Sequence, residues 1–293
     1  MKNKSLLIVM FFAAIAWIHA QYNPESDFYF EVTGNNDEVR ITGFAGGSGE
    51  VNIPPHLKGL PVTAIGREAF AGIREWDRRD DEYVSVRLVR WLTAVSIPNG
   101  VRTIDSGAFE HNKLTSIVIP DSVVSIGNHA FAVNRLTSVV IPDGVTRIGN
   151  GAFASNQLTS LVIGNSVETI GSSAFANNLL TNVIIPDSVA DIASAFTNNQ
   201  LTNVTIGSSV RRIGVGAFDA NNLTSIVIPN NVRTIETSAF VMNPLTSITI
   251  GANVHLWNNA FVPGFDATYN NGGRLAGTYT RPNTGSNVWT RQE

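Results

Sequence analysis

Residues that commonly carry catalysis are few in this sequence and form no recognisable set. There is no cysteine, so thiol catalysis and thiolate metal sites are impossible. Beyond residue 20 the histidines are His56, His111, His129 and His255, at irregular spacings from which no Ser-His-Asp arrangement can be built. No glycine-rich phosphate loop or metal-ligand spacing is present either. We therefore predict that the protein is not an enzyme and uses no cofactor or metal.

One set of acidic residues is regularly spaced and could bind a cation. The residue after Pro or Gly at the end of a repeated apolar stretch is Asp121, Asp143 or Asp187 in three copies of the repeat. In three other copies it is Asn99, Asn165 or Asn230. Stacked units could bring these oxygen atoms around a hard cation such as Ca²⁺. Asp and Asn directly after Pro or Gly are also the residues that tight turns favour. We prefer the turn, and predict no metal site here.

These acids belong to a repeat that accounts for most of the chain. Leu-Thr recurs at intervals of 22 residues, with one of 21, at Leu92, Leu114, Leu136, Leu158, Leu180, Leu201, Leu223 and Leu245. Counted from this Leu, position 4 is aliphatic, position 6 is Ile and position 10 is Val, and Ala-Phe closes the pattern. Position 13 is Ile until the last unit, where it falls on Trp257. A period in the low twenties is typical of a solenoid.

The repeat predicts the path of one coil. Leu-x-x-aliphatic-x-Ile alternates as a β-strand does, so one strand from each unit should join a parallel ladder, ended by Pro or Gly at position 7. Val-x-x-Ile should cross the back as short strands or turns, and the Phe rings should stack between the layers. Two units, Leu180–Phe196 and Leu245–Phe261, are one residue short. We place both losses in the turn that holds Gly elsewhere, because a turn tolerates a deletion and a strand does not.

A polar column accompanies the apolar ones. An asparagine stands two residues before each following Leu, and its members are Asn112, Asn134, Asn156, Asn178, Asn199, Asn221 and Asn243. A buried asparagine in register can hydrogen-bond the backbone of neighbouring coils, so we predict a structural role for this column.

The chain outside the repeats divides into terminal segments and one insertion. Residues 1–20, with Lys2 and Lys4 before the apolar run Leu6–Ile18, have the pattern of a signal peptide. Residues 21–50 should form a β-hairpin cap from Phe28–Val32 and Glu38–Thr42, and residues 51–71 a divergent first repeat. Residues 72–91 are a charged and aromatic insertion, residues 92–265 hold eight repeats, and residues 266–293 should form a C-terminal β cap. We expect short strands at Gly264–Tyr269, Leu275–Thr280 and Asn287–Thr290.

Charge and the N-terminal segment limit the classes of partner. Without residues 1–20 the chain has 18 basic and 23 acidic side chains, a net charge of −5. This balance argues against a nucleic-acid partner, which requires clustered Lys and Arg. No later apolar stretch approaches the length of a membrane span, so no membrane insertion is expected after the signal is removed. We predict an exported protein that is extracellular, on the outer surface or in the periplasm.

The repeat units resemble the leucine-rich repeats of bacterial BspA-like surface antigens. The resemblance is carried by stretches such as LTSIVIPDSVVSIGNHAF and LTSVVIPDGVTRIGNGAF, and by Val51–Pro54 with Leu60–Gly66, which is similar to the first repeat of that family. It covers roughly residues 28–262. The sequence departs from the family at the insertion, and at the asparagine column, where many relatives carry Cys. The resemblance implies a mainly β solenoid of about nine coils with a parallel sheet face, little helix and β caps. It also implies extracellular roles in binding matrix proteins, host cells or other bacteria.

Positions 3 and 5 of the repeat should point away from the core. They supply the candidate binding face, which we predict to consist of Ser116, Val118, Ser138, Val140, Ser160, Val162, Asn182, Ile184 and Val227. A line of exposed aliphatic residues without charge can mark an interaction site, although β-branched residues at position 5 would also serve strand propensity. Insertions in repeat proteins often reach the binding face, so Trp76, Tyr83 and Trp91 are further candidates. The ordinary alternative for the insertion is a degenerate extra turn with a solvated loop. We therefore predict a protein that binds an extracellular or host protein, or that associates with itself as a structural protein of the cell envelope.

Overall fold

The computed structural model describes residues 22–47, 49–72 and 91–292. They form nine stacked coils, the first closed by Phe70 and the last by Phe261. Each coil has a front segment, a back strand and an aromatic turn between them, and the front segment is a strand in all coils except the one that begins at Leu114. One hydrophobic core runs through all nine coils. The predicted mainly β leucine-rich repeat solenoid is confirmed.

The back of the solenoid is a continuous parallel sheet of very short strands. Its repeat strands are β7 (Thr103–Ile104), β8 (Ser125–Ile126), β10 (Arg147–Ile148), β12 (Thr169–Ile170), β14 (Asp191–Ile192), β16 (Arg212–Ile213), β18 (Thr234–Ile235) and β20 (His255–Leu256). The second residue of each strand is buried and the first is exposed or half-buried. Val-x-x-Ile therefore crosses the back as short strands, which confirms that prediction.

The front strands are longer but do not form the single ladder that we predicted. They are β3 (Gly49–Asn52), β6 (Leu92–Ser96), β9 (Ser138–Val140), β11 (Ser160–Val162), β13 (Asn182–Ile184), β15 (Asn203–Thr205), β17 (Ser225–Val227) and β19 (Ser247–Ile250). They pair two by two, and residues 114–119 form no regular strand. Pro at position 7 of five repeats has no N–H to donate, which limits how far those strands can pair. Between the pairs, Leu179 N–H still donates to Leu158 O at 2.9 Å.

The N-terminal end is closed by the predicted hairpin. After a short 3₁₀ turn at Glu25–Asp27, β1 (Phe28–Thr33) pairs antiparallel with β2 (Glu38–Phe44). β2 then pairs with β5 (Leu60–Ile65), which begins the back sheet, and β4 (His56–Leu57) turns against β5. Three rings from Phe28, Phe44 and Phe70 pack together beneath the hairpin. The hairpin therefore covers the apolar end of the first coil.

The phenylalanines form the predicted stack through the solenoid. From Phe70 to Phe261, neighbouring rings lie 4.7–5.7 Å apart between centroids and are nearly parallel. Every ring in the stack is buried. Each ring therefore packs on the rings of the adjacent coils, from one end of the solenoid to the other.

The asparagine column joins three parts of the backbone in every coil. Asn134 Oδ1 accepts the N–H of Leu114 at 3.0 Å, and its Nδ2 donates to Phe109 O at 2.9 Å and to Phe131 O at 3.2 Å. The same bonds recur at the other members, all of which are buried. Each asparagine therefore closes its own coil and ties it to the preceding one, which confirms the structural role.

The two short units lose their residue in different places. In Leu180–Phe196 the loss is in the turn after Ile192, as predicted, and the ring of Phe196 still stacks on Phe175 and Phe218. In the last coil our placement was wrong. Ile235 pairs with Leu256, so the missing residue precedes the back strand, Leu256 fills the inward place and Trp257 is 52% exposed. Both Leu256 and Trp257 are apolar, so spacing from the preceding Leu alone could not choose between them.

The C-terminal segment is only partly the β structure that we predicted. Gly264–Tyr269 is not a strand, because residues Phe265–Asn271 form helix α1. Phe265 and Tyr269 are buried one helical turn apart, whereas Ala267, which a strand would place on the same side, is exposed. β21 (Gly277–Thr280) then pairs antiparallel with β19, and β22 (Thr290–Arg291) pairs with β21. The strand expected over Asn287–Thr290 is thus reduced to Thr290–Arg291.

This segment covers the last coil with aromatic side chains. Phe265 contacts Phe261, Tyr279 and Trp289 at centroid distances of 4.8–5.5 Å. Tyr269 Oη donates to Gly251 O at 2.6 Å and accepts the N–H of Val254 at 3.0 Å. Burial raises the pKa of the Tyr269 hydroxyl above its ordinary value. The open end of the core is therefore sealed by a packed cluster.

Candidate protein-binding face

The front strands present a line of aliphatic side chains to solvent. Their exposed fractions lie between 53% and 67%, at Val118, Val140, Val162, Ile184 and Val227. Strand alternation explains the exposure, because the flanking residues at positions 4 and 6, such as Val139 and Ile141, are buried or partly buried. We call Val118, Val140, Val162 and Ile184 the aliphatic strip. Val227 lies apart from it, since the coil between them has Thr205 at this position.

The register of the paired strands fixes the neighbours within this face. Val140 lies opposite Val162, and Ser138 lies opposite Ser160. Ile184 lies opposite Thr205, and Val227 opposite Thr249. The position 3 residues Ser116, Ser138, Ser160 and Asn182 are all exposed beside the strip. All nine residues predicted for the face are therefore solvent-accessible on the same side of the solenoid.

The threonines at position 2 stabilise the edge of the face. The hydroxyl of Thr159 donates to Thr137 O in the preceding coil at 3.2 Å. Thr202 and Thr246 make the same bond to Thr181 O and Thr224 O. These bonds use hydroxyl donors that are exposed at the surface, so the threonines link neighbouring coils as well as lining the edge.

Apart from Glu50 in β3, charged side chains on the front face lie beside the two ends of the strands. Positions 2, 3 and 5 contain no charged residue from Leu92 onward. Lys113 and Arg135 precede the strand of the following coil, whereas Asp121, Asp143 and Asp187 follow position 7. The carboxylates of Asp143 and Asp187 each accept a backbone N–H from the next coil at 2.6 Å, so they support turns. The aliphatic strip therefore lies between a basic rim and an acidic rim.

The opposite face has a different character. Arg212 lies 3.6 Å from Asp191 and 3.1 Å from Glu236, and its hydrogen bond to Glu236 raises the pKa of its guanidinium. The first residue of several back strands is charged or polar. An exposed line of aliphatic residues without charge is thus a property of the front face.

The insertion begins and ends at the basic rim of the front face. Gly72 N–H donates to Glu110 O at 2.8 Å, and Trp91 O accepts the N–H of Gly49 at 3.3 Å. Trp91 is half-buried, and the Lys113 ammonium lies 4.7 Å from the centre of its indole ring. Of the predicted insertion contacts, Trp76 and Tyr83 lie outside the described residues. Trp91, the third predicted contact, lies at this rim beside Lys113.

The side chains that could take part in catalysis or bind a metal do not cluster in the described residues. His56, His111, His129 and His255 belong to four different coils, and His111 lies 3.5 Å from Glu110. Within residues 22–47, 49–72 and 91–292, no group of three His, Asp or Glu side chains could hold a metal ion. In that same part of the chain, no helix is both long and apolar enough to cross a bilayer.

Sequence reasoning missed one exposed aromatic residue. Trp257 was assigned to the inward position 13, but it stands at the surface beside His255, with ring centroids 6.2 Å apart. The available signal was Leu256, an aliphatic residue one place earlier in a unit known to be one residue short.

Comparison with one solved structure supports the fold. A leucine-rich repeat protein from Bacteroides ovatus is 24% identical with a TM-score of 0.55, over 79% of this chain and 66% of that chain. This chain therefore spans just under two thirds of that protein. A leucine rich cell surface protein from Faecalibacterium prausnitzii is 21% identical with a TM-score of 0.46, over 82% of this chain and 73% of the other. The pneumococcal vaccine antigen PcpA is 18% identical with a TM-score of 0.45, over 80% and 84%.

Comparison by sequence identifies the repeats themselves. No curated protein sequence matched the chain. The profile of the BspA type leucine rich repeat region matches residues 89–194 and 152–263, with six copies of the repeat. These matches cover more than half of the chain and contain every front strand except β3, the asparagine column and most of the phenylalanine stack. The chain therefore belongs to the family of proteins with a BspA type leucine rich repeat region.

Proposed function

We propose that the protein binds another protein through the aliphatic strip, and that it does so as an exported protein at the cell surface or beyond it. The observation that carries the proposal is the run of four consecutive coils that expose Val118, Val140, Val162 and Ile184 without a charged neighbour on the sheet. Burying such residues against a partner is favourable by about 25 cal/mol per Å² of apolar surface. The leucine-rich repeat family, whose members generally bind proteins, supports the same class of function.

Adhesion to host matrix, to host cells or to other bacteria is the role we propose for this binding. Its support is the signal-like segment of residues 1–20, which lies outside the described residues, together with an uncharged face that suits a protein ligand. Protease treatment of intact cells tests the location. Cleavage of the protein on intact cells is expected, and complete protection until the envelope is opened would contradict surface exposure.

A double substitution tests the strip directly. Val140→Glu plus Val162→Glu puts two carboxylates at neighbouring exposed positions, where they can stay hydrated without disturbing the core. We expect the variant to fold normally and to lose at least about tenfold in affinity for immobilised matrix proteins or host cells, because a partner surface must desolvate both charges. Surface plasmon resonance and cell binding would measure the loss.

The back face supplies a matched control. Val124 and Thr146 are also in adjacent coils, on the back of the solenoid, and Val124 is 45% exposed. Val124→Glu plus Thr146→Glu makes the same change in charge and should leave partner binding unchanged. If both double variants bind like the unmodified protein, or if both lose binding equally, the strip is not the binding site.

Self-association is a second candidate function, favoured by the two rims. If two copies meet face to face with their strands antiparallel, the basic rim at Lys113 and Arg135 approaches the acidic rim at Asp121 and Asp143 of the other copy. The aliphatic strips would then be buried against each other. Sedimentation velocity at high concentration distinguishes the candidates, since a strict monomer removes this one and a dimer abolished by Val140→Glu plus Val162→Glu supports it.

A further inference from the structure

A cleft of about 500 Å³ lies between the last coil and the C-terminal helix, away from the front strands. Its walls include Trp257, Asn258, Asn259, Pro263, Asp266 and Asn270. The cleft joins two structural irregularities, the coil that lacks one residue and the helix that replaces a further repeat. It is therefore a feature of this end of the solenoid, and the regular repeats do not produce it.

The indole of Trp257 is exposed because of the shortened coil. The equivalent place after the inward aliphatic residue is filled in the other coils by a small or acidic residue, at Gly66, Asp105, Gly127, Gly149, Gly171, Ala193, Gly214 and Glu236. In the last coil Leu256 takes the core position and the large ring of Trp257 follows at the surface, 52% exposed. His255 packs against it nearly perpendicularly, at an interplanar angle of 86°. The protein thus holds an aromatic surface at the mouth of the cleft without burying it.

Amide groups surround this aromatic surface. The side chains of Asn258 and Asn259 make no hydrogen bond with any residue in the described part of the chain. Asn270 Oδ1 accepts Arg274 Nε–H at 3.1 Å, which leaves its amide N–H groups for a ligand. A primary amide offers both donors and an acceptor without charge. The wall therefore provides several neutral hydrogen-bonding groups within one cleft.

The charged group in the cleft is already used by the fold. Asp266 Oδ2 accepts the N–H of Ala260 at 2.8 Å and its Oδ1 accepts that of Phe261 at 3.2 Å. It thereby fixes the turn that carries Asn258 and Asn259. Arg274, the cation in contact with the cleft wall, donates to Asn270. These bonds favour a neutral ligand over an anion, which would be repelled by Asp266.

We propose that this cleft binds the ring of a neutral carbohydrate. A sugar ring presents C–H groups on one face and hydroxyls around its edge, which matches a flat aromatic surface bordered by amide donors and acceptors. A protein partner would instead require a larger apolar contact than the single exposed indole in this cleft provides. The site is separate from the aliphatic strip, and its ligand class is different from that of the proposed function.

Tryptophan fluorescence and a glycan array test the proposal on the full-length protein. The probes are glucose, galactose, mannose and N-acetylglucosamine, with their neutral oligomers. We expect a change in emission on titration with at least one of them, and binding that Trp257→Ala weakens at least about tenfold. Trp257→Phe should retain most of the affinity while losing the change in emission, because the aromatic face remains and the reporting indole does not. Asn258→Ala should weaken binding about threefold or more.

Two controls make the outcome decisive. Thermal unfolding of the Trp257 variants should match the unmodified protein, since the side chain is exposed. Val140→Glu plus Val162→Glu should leave carbohydrate binding intact, so failure of the strip proposal and failure of this one are distinguishable. The proposal is overturned if no neutral sugar binds in the array or the titration at millimolar concentration. It is equally overturned if Trp257→Ala leaves the affinity for the sugar unchanged, or if this substitution abolishes binding of a protein and not of a sugar.

Discussion

The residue directly before the buried asparagine has a left-handed backbone conformation in seven coils. Its φ values lie between +53° and +58°, at His111, Val133, Ser155, Asn177, Asn198, Ala220 and Met242. For an L-residue this region costs roughly 1–2 kcal/mol, with Asn and Gly tolerated best. The sequence varies freely at this position, so the repeat pattern alone did not reveal it. The conformation is imposed by the turn that directs the asparagine inward.

Val133 is the residue least suited to this conformation. A β-branched side chain with positive φ is unusual, and Val133 is 40% exposed, so little packing compensates it. We predict that Val133→Asn raises the free energy of unfolding by about 1 kcal/mol. Urea denaturation followed by circular dichroism would measure the change.

The next coil provides the reverse substitution as a control. Ser155 has the same conformation, with φ +56°. Ser155→Val should lower the free energy of unfolding by about 1 kcal/mol for the same reason. Equal effects of the two substitutions in the same direction would show that backbone conformation does not determine stability at this position.

At the scale of one element, the coil, closure depends on one side chain. Asn156 accepts the N–H of Leu136 at 3.0 Å and donates to Phe131 O and Phe153 O at 2.9 and 3.1 Å. Asn156→Ala would leave the buried N–H of Leu136 without a partner, at about 1–3 kcal/mol. Phe131 O and Phe153 O would each lose one of two bonds and keep those from Asn134 and Asn178, at about 1 kcal/mol for each lost bond. We predict a loss of at least about 2 kcal/mol in the free energy of unfolding, measured by urea denaturation.

Asn150 is the matched control for Asn156. It lies in the same coil and accepts the N–H of Ser172 at 2.9 Å, but it is exposed. Water can replace that bond, so Asn150→Ala should cost less than about 1 kcal/mol. A comparable loss from both variants would mean that the column contributes no more than a surface hydrogen bond.

Elements that occur in every repeat could be predicted from the sequence, whereas some elements that occur once could not. Identical spacing in eight units predicts the coil, the phenylalanine stack and the asparagine column, because the same residue types recur at the same positions. A segment that occurs once has no second copy with which its pattern can be compared. Phe265–Tyr269 fits both a strand and a helix, and the choice depends on which aromatic residues pack on Phe261. The exposed side of the front strands follows from alternation, whereas the interrupted ladder depends on hydrogen bonds that alternation does not describe.

At the scale of the whole molecule, each coil contacts its neighbours and little else. Stability in such a stack is approximately the sum of coil and interface contributions, so an irregular segment is tolerated where both neighbouring coils keep their contacts. The insertion meets this condition. Phe70 N–H donates to Ala108 O at 2.8 Å, and Leu92 N–H donates to Asn112 Oδ1 at 2.9 Å, so the coils on its two sides are joined without residues 73–90.

This arrangement specifies a minimal replacement for the insertion. In the next coil the path from Phe109 to Leu114 contains four residues, with Asn112 as the third. Replacing residues 73–90 with a single Asn gives Phe70-Ala71-Gly72-Asn-Trp91-Leu92, which restores the Phe-x-x-Asn-x-Leu spacing. We predict that this variant folds with a free energy of unfolding within about 1 kcal/mol of the unmodified protein, because surface insertions affect stability weakly. Urea denaturation and circular dichroism would measure it.

The same variant tests the insertion as part of the binding face. Because the insertion begins and ends at the rim beside the aliphatic strip and carries Trp76 and Tyr83, its removal should lower partner affinity while the fold is retained. Trp91→Ala in the full-length protein is the companion variant, since Trp91 stays in the replaced chain and packs under Lys113. A variant that folds and binds like the unmodified protein would assign the insertion to a solvated extra turn, and would restrict the binding face to the front strands.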